Sequence, residues 1–567
     1  MQNLDFINIS THNIGEFYTK MTSINNFFKP QIANTKAGET QLSVFYTNDM
    51  HGDINRLSKL KSAKDSFEKS NKDNSTLALT AGDCFYGKDK QRIGLISKVM
   101  NMMKFDALTL GNHEFTPGSK GLAENLKNID AKAVSANLEI GEDCPLKDRI
   151  ADKKLVKSAV FMKGGHKFAV IGASPFDAEV GITEDAKAGV RVKDIDKTIK
   201  AINEEAKNLE KQGINKIILL SHLGYGEHAD LKVARETEGI DIIVGGHSHA
   251  TIEGVQSEDK GGTHKLNLVK SKRGEPVIIT QAGKLNEKVG FLDVVFDKNG
   301  VIKTDSIKNQ LANVADFVED KKVNNLMVET LGEKQHLANV TNGYDPECEF
   351  EERYRENPVH NMLADAVLEK GKAQGVQGVL FATNTVKGGA NNEISNYNLK
   401  YEMLPYNSSY VAAEMTEKDV VDLLNATSAK VFGEVDPPLL RTAGMKYTID
   451  QAGGKTPLTK LELTDEKGNV TATIDTKNPS TDKKVKVAFD SYLFCADYSK
   501  PILDKYKATS EKVGEQQEIF TNYLTKKGTV DFSMPKDNRI TIKYNDLATY
   551  CPQYSMDDKV KTMQKQA

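Results

Sequence analysis

Short apolar runs rich in β-branched residues recur from Gln41 onward and alternate with charged segments. The clearest are LSVFYTND, TLALTAGD, FDALTLGNH, KFAVIGAS, KIILLSHLG and IDIIVGGHSH. Several are apolar throughout, which favours strands buried on both faces of a sheet. Segments between them, such as GLISKVMNMMKF and DKTIKAINEEAKNLEKQG, favour helices, the second expected to end at Gly213. Strand, helix, strand repetition over residues 41–312 predicts a layered α/β domain.

The pattern changes after residue 312. Residues 313–338 favour a connecting helix. Residues 339–547 mix helical segments (PVHNMLADAVLEKGKAQG, TEKDVVDLLNATSAK) with strand segments (GVLFATN, LTKLELTD, KVKVAFDSYLF), which predicts a smaller α+β domain. The polar stretches 1–40 and 548–567 are predicted to be disordered or loosely attached tails.

Composition narrows the class of protein. The 567 residues suffice for roughly two to four domains. The net charge of −3 gives no electrostatic reason to expect a nucleic acid polymer or an anionic membrane as partner. The five cysteines form no C-x-x-C pair, which argues against a cysteine zinc site. No run is long enough to span a membrane, and the N-terminus has no signal-peptide pattern, which on its own predicts a cytoplasmic protein.

Coordinating side chains follow the apolar runs directly. They are Asp49 and His51 in TNDMHGD, Asp83 in AGDCFYG, Asn112 and His113 in LGNHEF, His222 in SHLG, and His247 and His249 in GGHSH. A single histidine after a strand is more often structural, but this ordered set is hard to obtain by chance. The carboxyl ends of strands in an α/β sheet meet along one edge, so these side chains are expected to converge.

The side-chain types indicate a metal centre. Asp, His and Asn without Cys suit Zn, Mn or Co, with Fe as a further candidate, and the imidazoles argue against Ca or Mg alone. The seven candidate ligands other than His113 exceed the three or four of a catalytic zinc site, which predicts two divalent metal ions. A carboxylate can bridge such a pair, and Asp83 is the candidate for the bridge.

These ordered motifs resemble those of the calcineurin-like metallophosphoesterases, and with the second domain the chain resembles the 5′-nucleotidase family over about Gln41 to Tyr544. The resemblance implies an N-terminal four-layer β-sandwich with flanking helices. It implies a metal-activated water that attacks a phosphate, while His113 stabilises the transition state or protonates the leaving oxygen. The implied ligands are Asp49, His51, Asp83 and His249 for metal one, and Asp83, Asn112, His222 and His247 for metal two.

Two positions beside the metal motifs depart from the resemblance or compete with it. Thr116 stands where the family commonly places an Asp that pairs with the motif histidine, and a neutral hydroxyl cannot stabilise imidazolium as a carboxylate does. Reduced turnover or a shifted pH optimum is therefore expected. Tyr86 has the spacing at which purple acid phosphatases place an iron-binding Tyr, but those enzymes lack the histidine present here as His51.

The second domain departs further. Asn384 matches the family's Asn before a glycine run, but the family's Arg falls on Gly389. Arg355 is the candidate anion contact, with a surface ion pair as the alternative. Tyr406 and Tyr492 resemble the family's base-stacking pair, and Asp497 is the one match for its acid.

The leading prediction is a dinuclear-metal phosphohydrolase that acts on nucleotides as a 5′-nucleotidase does. A 2′,3′-cyclic-nucleotide phosphodiesterase and a nucleotide-sugar diphosphate hydrolase are alternatives. A non-catalytic ligand-binding or interaction protein that retains the metal site is the alternative from another class. The expected partner is a small nucleotide or related phosphoester, and the expected state is a monomer or homodimer. The resemblance favours a periplasmic or extracellular location, against the missing signal peptide.

Overall fold

The computed structural model describes residues 27–30, 35–175, 189–257, 265–344, 356–382, 386, 392–428, 439–450, 456–534 and 537–543. The chain divides into two compact units, Met1–Glu333 and Lys334–Ala567. In the described part of the chain no helix is both long and apolar enough to cross a membrane.

The strands of the first unit form two seven-stranded sheets and a two-stranded pair. In chain order they are β1 (Thr40–Thr47), β2 (Thr76–Thr80), β3 (Ala107–Thr109), β4 (Lys132–Val134), β5 (Leu138–Ile140), β6 (Leu155–Val156), β7 (Ser158–Lys163), β8 (His166–Ala173), β9 (Val190–Val192), β10 (Ile217–Ser221), β11 (Ile242–Gly245), β12 (Thr251–Ile252), β13 (Leu268–Lys270), β14 (Pro276–Ala282), β15 (Lys288–Phe296) and β16 (Lys308–Asn313). The first sheet has the order β16-β15-β1-β2-β3-β4-β6, the second β12-β14-β11-β10-β8-β7 with β13 on β14, and β5 pairs with β9.

Helices flank these sheets. They are α1 (Leu57–Ser70), α2 (Lys90–Met103), α3 (Gly118–Lys127), α4 (Lys147–Ala151), α5 (Ile195–Glu210), α6 (Asp230–Glu236) and α7 (Lys321–Leu331). Helix α5 shows why the pattern folds as it does: Asp194 caps its first turn, and Ile199, Ile202 and Leu209 lie on its buried face. The helix ends at Glu210, and the expected Gly213 follows in a turn with φ of 76°.

The two large sheets pack face to face, because their apolar strands need cover on both sides. Leu42 and Val44 of β1 share one buried cluster with Val170 of β8 and Leu220 of β10. On its other face the second sheet packs against α5 and α6. These layers confirm the predicted α/β sandwich with flanking helices.

Strand direction positions the site. In the first sheet β1, β2, β3 and β4 are mutually parallel, and in the second β8, β10, β11 and β14 are parallel. The carboxyl ends of β1, β2 and β3 therefore lie at one edge of the first sheet, as those of β10 and β11 do in the second. The candidate metal ligands follow these five strand ends.

The second unit has three sheets, ordered β19-β17-β27, β21-β18-β25-β20-β26 and β24-β23-β22-β28. Its strands are β17 (His336–Val340), β18 (Gly378–Ala382), β19 (Glu393–Ser395), β20 (Ser409–Thr416), β21 (Leu440–Ala443), β22 (Met445–Asp450), β23 (Leu458–Thr464), β24 (Val470–Ile474), β25 (Lys484–Asp490), β26 (Glu511–Glu515), β27 (Thr529–Val530) and β28 (Ile540–Lys543). Its helices are α8 (Pro358–Gly371), α9 (Asn396–Asn398), α10 (Glu417–Ser428), α11 (Lys500–Leu503) and α12 (Gln516–Lys527). The unit is α+β, as the sequence predicts.

Three local features differ from the sequence-based expectations. Phe28 lies in the segment expected to be a loose tail, yet it is fully buried, with its ring 5.9 Å from that of Phe67 and 5.8 Å from that of Phe291. Apolar burial anchors this part of the segment. The connecting helix is shorter than residues 313–338, since α7 covers Lys321–Leu331 and Asp320 caps its start. The strand predicted through KVKVAFDSYLF ends at Asp490, and residues 491–494 form a 3-10 turn.

Candidate metal centre

Five turns bring carboxylates and imidazoles of the first unit together. Nε2 of His222 lies 3.2 Å from Oδ2 of Asp83 and 3.7 Å from Oδ1 of Asp49. Oδ1 of Asp49 also lies 3.5 Å from Nε2 of His249 and 3.7 Å from Nε2 of His51. Nδ1 of His51 lies 3.9 Å from Oδ2 of Asp83. Residues about 200 positions apart in the sequence are thus held within reach of a shared ion.

Asn112 and His247 complete the other side of this cluster. Nδ1 of His247 lies 3.2 Å from Oδ1 of Asn112, and the rings of His222 and His247 have centroids 5.2 Å apart. All seven predicted ligands therefore converge.

The main chain at the site is strained. Asp49, His51, Asp83, His247 and His249 all have φ between 46° and 72°, in the left-handed region that residues other than glycine rarely adopt. Such conformations cost energy and cluster at functional sites, where the surrounding structure enforces them. The sharp turns aim these side chains back over the strand ends.

Glycines beside the ligands are required by close approach. An ideal Cβ on Gly111 would lie 2.2 Å from Oδ1 of Asp83 and 2.7 Å from Nε2 of His222. A Cβ on Gly82 would lie 2.6 Å from Nδ1 of His222. The motifs GD and GNH therefore place glycine where any side chain would enter the ligand cluster.

Main-chain and amide donors fix the two carboxylates. The N–H of His247 donates to both oxygens of Asp49, at 3.1 and 2.9 Å, and Nδ2 of Asn48 donates to Oδ2 at 2.7 Å. The N–H of His113 donates to Oδ1 of Asp83 at 2.8 Å. These bonds hold the carboxylates in place before any ligand is added.

The ring nitrogens of two histidines fit metal binding. Nδ1 of His222 lies 2.6 Å from the carbonyl oxygen of Ala81, which leaves Nε2 facing Asp83. Nε2 of His222 and Nδ1 of His51 are buried, and within the described residues neither has a hydrogen-bond partner. A buried nitrogen without a partner is costly, and a cation among carboxylates would satisfy it. The donor set therefore fits a divalent ion.

The charges of the site are strongly coupled. Burial alone would raise the pKa of Asp83, but His222 and His51 outweigh it and hold that pKa below its usual range. Burial alone would lower the pKa of His222, but Asp83 and Asp49 raise it to about 10. Burial lowers the pKa of His51 to about 3. The two carboxylates thus favour a positive charge at the centre of the cluster.

Glu114 is a structural residue of the site that sequence reasoning missed. Its buried carboxylate accepts hydrogen bonds from the N–H groups of Gly111 at 2.7 Å, Asp83 at 2.8 Å and Cys84 at 2.8 Å. Burial and the neighbouring Asp83 raise the pKa of Glu114 to about 7. The sequence feature that could have identified Glu114 is its position directly after His113 in the GNHE motif. Glu114 joins the turns after β2 and β3.

Gln281 was missed as well. Nε2 of Gln281 donates to the carbonyl oxygen of Gly246 at 2.9 Å. Its Oε1 accepts from Oγ of Ser248 at 3.0 Å and from the N–H of Ala250. The side chain therefore supports the turn that carries His247 and His249.

His113 and Thr116 lie beside the cluster. The rings of His113 and His51 have centroids 5.0 Å apart, and the ligand atoms of His51, Asp83 and His113 lie within 4.8 Å of one another. Thr116 donates its main-chain N–H to the carbonyl oxygen of His113 at 3.2 Å. Geometry alone would allow His113 to act as a ligand or as a group that contacts substrate.

The predicted substrate contacts belong to the second unit. Arg355, Asn384 and Gly389 lie outside the described residues. Tyr406 and Tyr492 are large side chains at the surface, 37% and 38% exposed, and Asp497 is exposed. Their roles stay predictions.

Residues 42–251 match the model of the calcineurin-like phosphoesterase family. The trifunctional nucleotide phosphoesterase protein YfkN of Bacillus subtilis is 26% identical over 87% of this chain and 34% of its own length. Apyrase of Anopheles gambiae is 27% identical over 82% of this chain and 81% of its own length. The chain thus spans about a third of the Bacillus protein.

Among solved structures, the 5′-nucleotidase precursor of Thermus thermophilus has a TM-score of 0.63 and 22% identity, covering 89% of this chain and 100% of that one. This likeness confirms the fold. The family match falls within residues 41–312 and agrees with the resemblance of this region to the calcineurin-like metallophosphoesterases.

Proposed function

We propose that this chain is a metal-dependent phosphohydrolase that hydrolyses phosphate esters of nucleotides, as a 5′-nucleotidase does. The observation that carries the proposal is the convergence of seven carboxylate, amide and imidazole ligands on strained turns at five strand ends. The family match over residues 42–251 and the relative named as a nucleotide phosphoesterase support it.

The same geometry supports two ion positions. Asp49, His51, Asp83 and His249 would hold one ion. Asp83, Asn112, His222 and His247 would hold the other, so Asp83 belongs to both sets. When bound, such ions would activate a water and neutralise charge on the phosphoryl oxygens.

The chain's own residues supply the remaining chemistry. The main-chain N–H of His247 and the side-chain amide of Asn48 keep Asp49 aimed into the site. Glu114 fixes the turn that presents Asn112 and His113. His113 is proposed to stand beside the reacting phosphate and to protonate the leaving oxygen as its bond to phosphorus breaks. The Tyr406 and Tyr492 rings are proposed to stack on the base.

Phosphate release tests this function. AMP, UDP-glucose, a 2′,3′-cyclic nucleotide and an aryl phosphate would be assayed with Mn, Co or Zn, alongside Asp83→Asn and the exposed control Asp73→Asn. We expect release from AMP that Asp83→Asn abolishes and Asp73→Asn leaves intact.

Other outcomes would redirect the proposal. Faster cleavage of the cyclic nucleotide or of UDP-glucose would select the corresponding alternative, and release from the aryl ester alone would contradict the nucleotide assignment. No release above Asp83→Asn on any substrate would favour the non-catalytic alternative.

A further inference from the structure

The imidazole of His113 lies against the ring of Tyr86. The two ring centroids are 4.6 Å apart, and the planes are inclined by 42°. The contact with His51 is longer, at 5.0 Å, and nearly perpendicular, at 81°. A tilted pair at this distance restricts the orientation of both rings. Tyr86 therefore contacts one face of the group proposed to act on the leaving oxygen.

Tyr86 is itself held in place by Arg92. The Arg92 side chain is buried, 1% exposed, and its guanidinium donates a hydrogen bond to the main-chain oxygen of Tyr86. The guanidinium also lies 5.8 Å from the centre of the Tyr86 ring. Asp89 caps α2 and accepts from the N–H of Arg92 at 3.0 Å, so the cation is anchored to a helix end.

The turn after β1 packs against Tyr86 and Arg92 as well. Gly52 has φ of 67°, and an ideal Cβ there would lie 3.3 Å from Cβ of Tyr86 and 3.2 Å from Cζ of Arg92. This close approach fixes the position of Cβ of Tyr86, from which its ring extends to His113.

Thr116 contacts His113 through the main chain, where its N–H donates to the carbonyl oxygen of His113 at 3.2 Å. Position 116 carries a hydroxyl side chain, and the ring of Tyr86 packs on the imidazole of His113.

We propose that Tyr86 is a positioning residue that orients His113 through its ring. This inference rests on the proposed function. In the step concerned, the bond from water oxygen to phosphorus forms and the bond to the leaving oxygen breaks. The proton of His113 passes to the leaving oxygen, and the proton of the water is released.

Two substrates with different leaving groups distinguish a loss of His113 positioning from a general disruption of the site. AMP has an alkoxide leaving group that needs a proton, whereas 4-nitrophenyl phosphate has one that leaves without it. We expect Tyr86→Leu to lower kcat on AMP about tenfold, with KM little changed, and to lower kcat on 4-nitrophenyl phosphate about twofold or less. Tyr86→Phe should recover most of the loss, and Thr116→Asp should recover part of it in the Tyr86→Leu background.

Two results would contradict the positioning role of Tyr86. Equal loss on both esters would mean that Tyr86 only supports the fold of the site. A Tyr86→Phe variant as slow as Tyr86→Leu would assign the function to the hydroxyl, as in a Tyr metal ligand. Either result overturns the proposal.

A second measurement does not depend on activity. In zinc-loaded protein labelled at histidine, the Tyr86 ring current should displace the His113 signals, which His113→Gln identifies. Tyr86→Leu should move these signals and Tyr86→Phe should not. If the wild type releases no phosphate, the proposed function fails while these spectra still decide the contact. Unchanged His113 signals in Tyr86→Leu would overturn it.

Discussion

Adding one methyl group at Gly111 should disable the metal centre. The new Cβ would lie 2.2 Å from Oδ1 of Asp83, more than 1 Å inside the 3.4 Å at which ordinary contact begins. Asp83 cannot simply turn away, because Oδ1 accepts the N–H of His113 and the Asp83 main-chain nitrogen would lie only 2.7 Å from the same Cβ. His222 is equally close, at 2.7 Å from Nε2.

A displacement of about 1 Å in a catalytic constellation costs on the order of a hundredfold in rate. We therefore expect Gly111→Ala to lower kcat/KM on the best substrate about a hundredfold and to lose at least one metal equivalent. Overpacking should also lower the free energy of unfolding by about 1–3 kcal/mol.

Gly94→Ala is the matched control. Gly94 lies inside α2, and an ideal Cβ there meets nothing within 4 Å. Alanine at an open helical position should stabilise the protein by up to about 1 kcal/mol and leave the metal content unchanged. Metal analysis, steady-state kinetics and urea unfolding of both variants decide the matter. A Gly111→Ala protein with full metal content and a rate within about threefold of wild type would refute the close-approach argument.

Thr116→Asp should raise the turnover several-fold near pH 7, because a carboxylate stabilises the imidazolium form of His113; an unchanged rate and pH profile would contradict this. Glu114→Gln should lower the free energy of unfolding by about 1–3 kcal/mol in thermal melts, since an amide –NH₂ would face N–H donors that the carboxylate now satisfies. Chelation should lower the melting temperature, with re-addition of metal at a hundred times its Kd restoring about 2.7 kcal/mol; an unchanged melt would mean that the folded state binds no metal. Burial raises the pKa of Asp490 from 3.8 to about 8, so the folded state keeps a proton that the unfolded chain releases, and this group should make stability fall as the pH rises from about 4 to 8; in urea unfolding this fall should be smaller in Asp490→Asn and unchanged in the exposed control Asp497→Asn.

The sequence predicts the large sheets well because their strands are apolar on both faces and leave a continuous signal. Leu42, Val170 and Leu220 sit in runs of that kind. The ligand positions follow from the same logic, since each polar group interrupts an apolar run at its end. Local pattern is sufficient wherever burial is nearly complete.

Contacts between distant segments carry no such signal. In the sequence, Glu114 looks like an ordinary acidic residue at the start of a helical turn. Only the fold shows that its carboxylate accepts hydrogen bonds from the main chain of the turn after β2. Phe28 lies in a polar segment, and its burial depends on packing against the rings of Phe67 and Phe291. Tyr492 continues an apolar strand pattern, yet the chain turns at Asp490 before reaching it.

The strain at the metal centre has a definite physical consequence. Five candidate ligands hold unfavourable φ angles, and Asp49 and Asp83 place two carboxylates around the same nitrogen of His222. Hydrogen bonds from His247, Asn48 and His113 offset part of that cost and keep the oxygens aimed inward. The site is therefore arranged by the fold before an ion enters, so an entering ion gains from neutralising repulsion without a large reordering of the chain. This preorganisation depends on the glycines, on Glu114 and on the contact of Tyr86 with His113, as well as on the ligands themselves.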